Sequence, residues 1–425
     1  VVTNQTAKVV AELLARKYAN SGTKIVYSKA SNVIDFKQRY DIVKCRETND
    51  LHHARDAYLN IVIGNVYDTK FTNAYDYFYR NKDGAWREYN LKNLYSQPIK
   101  IAWNGSADIQ RIKSVLVKPS MQVTRYSFTN KGGFYNETVF KKEDKGVSAP
   151  RKNKFPYNQT EKYGGYKSLN TAYFIILQSK DKKGTFIKTI EAVPVLVDYN
   201  CKGDRQKLLE YFTDCGLIEP EIIVDKIKVK SLVSVNGYMV WIAGMTGNQV
   251  LLHNAQQWYT DETVDSYVNN CLKLIEQERN RKISEEETKG ELFMMSTNRF
   301  GEVKAKIDRL QNVELYGRII DKLSKLNSVI TADGKEKIRL MPINSFKDKL
   351  IAKTDLFEKL SVFKQAQVLL QLVQFMKCNS TTANLTLLDD GSSCGKLLIS
   401  KNITDVKFEI INQSPCGLTT HTKSI

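Results

Sequence analysis

Near the start of the chain, apolar residues recur at intervals of three and four: Val10, Leu13, Leu14 and Tyr18 share one helical face. The segment 24–30, KIVYSKA, reads as a strand. Residues 50–64 return to helical spacing, and Gly64 is the expected stop. Between 75 and 95 aromatic side chains interleave with Arg and Lys, in YDYFYRNKDGAWREYNLKNLY. Half-buried strands are the favoured reading of that mixture, and base stacking with phosphate contacts is the other. Over 128–190 short β-like runs alternate with Gly, Lys and Asn, the lysine-rich stretch 141–154 carries Pro150 as a loop does, and TAYFIIL (171–177) is strand-like. A hairpin rhythm follows in SLVSVNGYMVWIAGMTGNQVLLH, with Asn236-Gly237 as its turn. From 261 to 377 the period is helical. Asp261 is placed to cap a helix bearing Val264, Tyr267, Val268, Cys271 and Ile275, and similar patterns cover 303–330 and 355–377. Glu285–Glu287 reads as a solvated face, and 383–420 returns to short strands and turns.

With 425 residues the chain can bury two or three separate cores. Charge changes the picture most: 64 Lys and Arg stand against 46 Asp and Glu, a net +18. Such an excess repels itself within a compact fold and attracts polyanions, nucleic acid first among them. A solvated basic surface is the plain alternative, and no long basic amphipathic helix points to a membrane surface. No run approaches the roughly 20 apolar residues that span a bilayer. The first residues, VVTNQTAKVVAELLARKY, are interrupted by charge and form no signal peptide. They begin at Val1 rather than Met, from which a fragment is expected. Seven cysteines, odd in number and never spaced CxxC, argue against a zinc site or a disulfide framework. They suit a reducing cytosol.

The chemistry-bearing stretch is NDLHHARDAYLN (49–60), which holds two of the four histidines. With Asp50 as N-cap, His53 and Asp56 are three apart and His52 and Asp56 four apart, so either imidazole can share a face with the carboxylate. Asp56 could hold Mg²⁺ through oxygen while a histidine takes a proton from water or completes the metal shell. The other reading is a polar first turn capping a helix that packs Ala57, Tyr58, Ile61 and Val62 inward. Spacing by itself slightly favours the helix start, because a two-metal centre needs more carboxylates than are found nearby.

The residues HHARDAYLNIVIG (52–64) resemble the third RuvC motif of the type II CRISPR-associated RNA-guided DNA endonucleases (Cas9). The resemblance runs on through DFKQRYDIVKCRETNDLHHARDAYLN, IAWNGSADIQRIKSVLVKPSMQVTRYSFTNKGGFYNETVF, KYGGYKSLNTAYFIIL and the near-terminal IINQSPCGL. It covers the C-terminal part of such an enzyme. It implies an α/β, ribonuclease-H-like RuvC segment over 1–127 that lacks strands supplied elsewhere. An α+β PAM-interacting domain would follow over 128–425, with small β-sheets and a helical insertion near 261–377.

By resemblance, Asp56 is a metal ligand, His53 a general base or metal ligand, and His52 its neighbour in the catalytic group. The cofactor would be Mg²⁺, which Mn²⁺ can replace, and the reaction hydrolysis of the displaced, non-target DNA strand. Arg55 stands where relatives often carry histidine, with no role beyond phosphate contact. Asn136, Glu137 and Thr138, in GGFYNET, occupy the place that grips the target-strand phosphate beside the PAM, and a plain β-turn is the alternative. Family members read guanines of the PAM with a pair of arginines. The segment 392–414 has no Arg-x-Arg, so Lys396, with Lys401 after it, becomes the reader of a different or shorter PAM. Implied partners are a guide RNA (crRNA with tracrRNA), PAM-bearing double-stranded DNA, and the N-terminal portion with the remaining carboxylates. A phage-encoded inhibitor could fit the basic PAM cleft. No membrane is implied, and the setting is the bacterial cytoplasm. As an isolated fragment the chain is expected to bind and not to cut. His253 and His421 read as structural or surface residues.

Overall fold

The three-and-four spacing at the start of the chain forms helix α1 (Val2–Lys17), yet Val9, Val10, Leu13 and Leu14 on it are exposed. The computed structural model describes residues 2–23, 25, 26, 28, 30–73, 95, 102–117, 123–131, 141, 160–165, 170–280, 292–297, 303–377 and 382–425. They fall into two units, Val1–Met121 with Tyr259–Ser266, and Gln122–Trp258 with Tyr267–Ile425.

In the first unit α1 is followed by α2 (Ala30–Arg39), α3 (Leu51–Asn73) and α4 (Ser106–Leu116). Val33 and Phe36 of α2 pack with Leu59, Ile63 and Val66 of α3 and with Ile112 and Leu116 of α4. Tyr95 and Trp103 complete this core, and Phe36 meets both edge-on, at 5.0 and 5.9 Å between ring centroids. Each such pair adds about 0.5–1.5 kcal/mol to its burial. Tyr95 is the described member of the aromatic stretch 75–95, and it is core rather than a stacking platform.

Four expectations change in this unit. Ile25, Val26 and Ser28 are not in a strand, and Ala30 already opens α2. Helix α3 does not stop at Gly64 but continues to Asn73. The glycine is needed for close approach instead, since a Cβ there would lie 3.3 Å from Val26 Cγ1 and 3.4 Å from Ser28 Cβ. The inward stripe of α3 is Leu59, Ile63 and Val66, with Tyr58 and Val62 packed against it as expected, while Ala57 is exposed and Ile61 is 65% exposed. The described residues of 1–127 form helices and no strand, so the α/β character expected there is not found among them.

The second unit begins with the short α5 (Thr160–Tyr163), then β1 (Thr171–Lys180), β2 (Phe186–Pro194), α6 (Val195–Cys201), α7 (Arg205–Asp214) and β3 (Ile218–Lys228). The strands form an antiparallel sheet in the order β2-β1-β3. Leu208, Tyr211 and Phe212 of α7 pack against Tyr173, Ile175 and Leu177 of β1. Asp204 caps α7, accepting from the backbone N–H groups of Gln206 and Lys207 at 3.0 and 3.3 Å.

Next come β4 (Leu232–Val235), β5 (Tyr238–Thr246) and β6 (Gln249–Asn254). Asn236 and Gly237 join β4 to β5 with φ of 50° and 85°, the doubly positive pair that a two-residue hairpin matching strand twist requires. The helical region holds α8 (Glu262–Asn280), β7 (Leu292–Thr297), β8 (Val303–Asp308), α9 (Arg309–Asn327), β9 (Ser328–Ile330), β10 (Glu336–Ile338), α10 (Met341–Ala352), α11 (Thr354–Lys359) and α12 (Val362–Met376). Asp261 caps α8 as its spacing predicts, accepting from Val264 N–H at 2.9 Å. Two antiparallel hairpins, β7–β8 and β9–β10, interrupt what reads as continuous helix, so 303–308 is strand. Strands β11 (Leu397–Ser400), β12 (Phe408–Gln413) and β13 (Thr420–Ser424) complete a six-stranded antiparallel sheet, ordered β11-β6-β5-β4-β12-β13. Glu285–Glu287 lies outside the described residues.

Candidate metal centre

Thr48 and Asn49, just ahead of α3, fix where its first turn points. Asn49, 1% exposed, accepts from Leu51 N–H at 3.1 Å and donates through Nδ2 to Thr260 Oγ1 at 3.1 Å. Thr48, 0% exposed, donates to Asp265 Oδ1 at 2.8 Å, and Thr260 donates to the same oxygen at 2.6 Å. Arg55 lies 3.5 Å from the other Asp265 oxygen and donates through Nε to the Leu116 carbonyl at 3.1 Å. Burial pushes the Asp265 carboxyl up, and the bonds from Thr260, Thr48 and Arg55 work against that. Arg55 is thus a structural tie between α3, α4 and the 259–266 segment, not a side chain turned out toward phosphate.

On this frame His52 is buried and His53 exposed, with ring centroids 4.1 Å apart. His52 Nδ1 lies 3.1 Å from the Asn49 carbonyl, to which it can only donate. Burial pushes the His52 imidazole down, and its neighbour His53 adds to that, while the Asn49 carbonyl opposes it. Asp50, His52 and His53 present ligand atoms within 4.8 Å of one another.

Asp56 is not in that group. Its two carboxylate oxygens are taken by the ammonium groups of Lys37 on α2 and of Lys44. Burial alone would raise the Asp56 carboxyl, but hydrogen bonds from both lysines more than reverse this and hold it below the usual carboxylate value. It is therefore ionised at neutral pH, a hard oxygen donor of the kind Mg²⁺ takes. It lines a cleft of about 690 Å³ with Ile34, Lys37, Lys44, Arg46 and Asn60. A cation reaching Asp56 must displace at least one ammonium group.

The other predicted site residues are not on α3. Asn136, Glu137 and Thr138 fall outside the described residues. Lys396 precedes β11, exposed and with no ion-pair partner among the described residues. Lys401 is held by Glu191, 2.8 Å away and 8% exposed. His253 faces Trp241 across the β5–β6 ladder, and His421 lies on the exposed strand β13.

Sequence spacing missed Lys37, Lys44 and the Thr48–Asn49–Thr260–Asp265 group. The lysines lie 19 and 12 residues from Asp56, and Asp265 lies 217 from Thr48. No periodicity joins positions so far apart.

Among the described residues, no helix is long and apolar enough to cross a membrane. A family model for the Cas9 RuvC domain matches residues 4–127. A second, for the PAM-interacting domain of CRISPR-associated endonuclease Cas9, matches residues 131–420. The CRISPR-associated endonuclease Cas9 of Streptococcus mutans serotype c is 30% identical over 294 residues, covering 60% of this chain and 22% of that protein. That of Listeria innocua serovar 6a is 27% identical over 254 residues, covering 52% of this chain and 18% of that protein. The chain thus spans about a fifth of the length of the curated relatives it matches. With two collinear domain matches across nearly all of its length, the chain belongs to the Cas9 family.

Proposed function

We propose that the chain is the third RuvC segment (1–127) and PAM-interacting domain (128–425) of a CRISPR RNA-guided DNA endonuclease. The collinear matches to both domain models carry this reading. In the whole nuclease, Asp56 would hold the divalent ion together with carboxylates supplied by other segments. A bound Mg²⁺, or Mn²⁺ in its place, would polarise the scissile phosphate and lower the pKa of the attacking water. His53, exposed on the first turn of α3, accepts the proton of that water, with His52 behind it. Lys37, Lys44 and Arg46 line the cleft beside Asp56, where a displaced non-target strand would bring its phosphates.

By itself the chain binds and does not cut, because Asp56 is neutralised by two ammonium groups. Its net +18 supports binding of guide RNA and PAM duplex. Lys396 reads a base edge, with discrimination of about 1–3 kcal/mol for a good pair. Lys401 is the weaker candidate, because its ammonium is committed to Glu191. Asn136, Glu137 and Thr138 grip the target-strand phosphate beside the PAM.

The test combines this chain with the N-terminal portion, guide RNA and a plasmid library randomised beside the target. Asp56→Ala should abolish nicking of the non-target strand, and Lys396→Ala should relax the recovered flanking sequence. Nicking that survives Asp56→Ala removes the ligand role. Nicking by the purified chain alone removes the binding-module reading.

A further inference from the structure

In the second unit, helices α8 and α12 and the residues at 384–387 line a cleft of about 620 Å³, which neither the RuvC reading nor the PAM reading uses. Its size is that of a small-ligand pocket. We propose that this cleft holds a guanine base, presented by an RNA that everts it or by a free nucleoside. Leu272, Ile275 and Leu387 supply apolar walls for the faces of a planar ring. In a chain of net +18, none of the described lining residues is Lys or Arg, so a phosphate backbone finds no counter-charge here. The cleft carries Glu276 instead, an exposed carboxylate with no ion-pair partner among the described residues.

The amide groups on its walls have a fixed polarity. Gln371 on α12 accepts from the Asn384 backbone N–H at 3.1 Å. A backbone N–H can only donate, so the bonded atom is Oε1, and Nε2 is left as a donor. Asn384 is set in the same sense. Its Oδ1 accepts from Thr386 N–H at 3.1 Å and from Thr386 Oγ1 at 2.9 Å, which leaves Nδ2 as a donor. Neither amide nitrogen has a partner among the described residues. Gln367, four residues before Gln371 and on the same helical face, adds an amide that can serve either way. Two oriented N–H donors and one carboxylate acceptor therefore line the same cleft.

That pattern selects among the bases. Guanine offers O6 and N7 as acceptors, which suit the amide N–H groups. Its N1–H and 2-amino group donate, which suits the Glu276 carboxylate. Adenine places an amino group where O6 would stand, so a donor meets a donor and one amide stays unpaired. This inference does not rest on the nuclease reading, since its readout is binding alone.

Calorimetric titration of the full chain should show saturable binding of guanosine, about tenfold or more tighter than that of adenosine. A short RNA hairpin with one unpaired guanine, compared with the same hairpin carrying adenine there, separates the two sources. A guanine preference in the hairpins assigns the site to RNA, and one confined to the nucleosides assigns it to a free ligand. Glu276→Gln should weaken guanosine by about tenfold and bring adenosine level with it, because a side-chain amide pairs with the adenine edge. Glu276 is exposed, so this variant keeps the parent fold. Gln371→Glu retains the acceptor for Asn384 N–H, loses the amide donor, and should weaken guanosine by a similar factor. Guanine and adenine bound alike in both the nucleoside and the hairpin arms, or guanine binding indifferent to either substitution, overturns the proposal.

Discussion

Replacing Arg55 by methionine tests the frame beneath the candidate centre. Asp265 is 1% exposed, and its carboxylate has two hydroxyl partners, Thr48 and Thr260, with Arg55 as its cationic one at 3.5 Å. Methionine keeps most of the stem but leaves a buried carboxylate without a counter-charge. Removing one partner of a buried pair costs about 3–5 kcal/mol. The Arg55 side chain retains 16% exposure and 3.5 Å is long for an ion pair, so the lower part of that range applies. Loss of the bond to the Leu116 carbonyl adds about 1 kcal/mol. A total near 4 kcal/mol lowers the unfolding midpoint of the first unit by roughly 8–16 °C. Hydrogen exchange across 51–63 should accelerate correspondingly.

The pH dependence has a defined sign. Burial raises the Asp265 carboxyl above its ordinary value. The folded state thus binds this proton more readily than the unfolded chain, and the group's contribution is most favourable at low pH and is lost as pH rises through the raised value. Arg55→Met raises the carboxyl further, so its destabilisation should shrink as pH falls from neutral toward the raised value. Adding Asp265→Asn to Arg55→Met removes the orphaned charge and should recover part of the loss. A midpoint shift of the single variant below about 1 °C, or a double variant less stable than the single one, would refute the reasoning.

Three further outcomes are expected. Gly317 lies exposed within α9 with nothing within 4 Å of a Cβ, so Gly317→Ala should stabilise the second unit by about 1 kcal/mol in chemical denaturation. Gly395, adjoining Lys396, has φ of 77°, and a Cβ there would lie 2.7 Å from Phe375 Cε2. Gly395→Ala should therefore cost about 2–4 kcal/mol and blur flanking-sequence preference together with stability, whereas Lys396→Ala should alter preference alone. Lys401→Met strands the buried Glu191 and should lower the thermal midpoint of the second unit by several degrees while leaving flanking-sequence preference intact.

Local chemistry was legible in the sequence wherever the interacting positions are neighbours along the chain. Asn236 and Gly237 specify their hairpin because positive φ is needed at both. Asp261 and the spacing from Val264 to Cys271 specify α8, because cap and apolar stripe lie within a few turns. The motif at 52–64 likewise marked α3 as the element carrying the candidate chemistry, and collinear motifs pointed to the family. Tertiary contacts decided the rest. Gly64 sits inside α3 because Val26 and Ser28 come within van der Waals distance of it. Residues 303–308 are strand because 292–297 pair with them. Asp56 is an ion-paired carboxylate because folding brings Lys37 and Lys44 to it. Asp265 becomes a foundation of the same helix from more than two hundred residues away. Spacing encodes which face a residue occupies; what stands opposite that face is set only when distant segments close on one another and each buried polar group must find its partner.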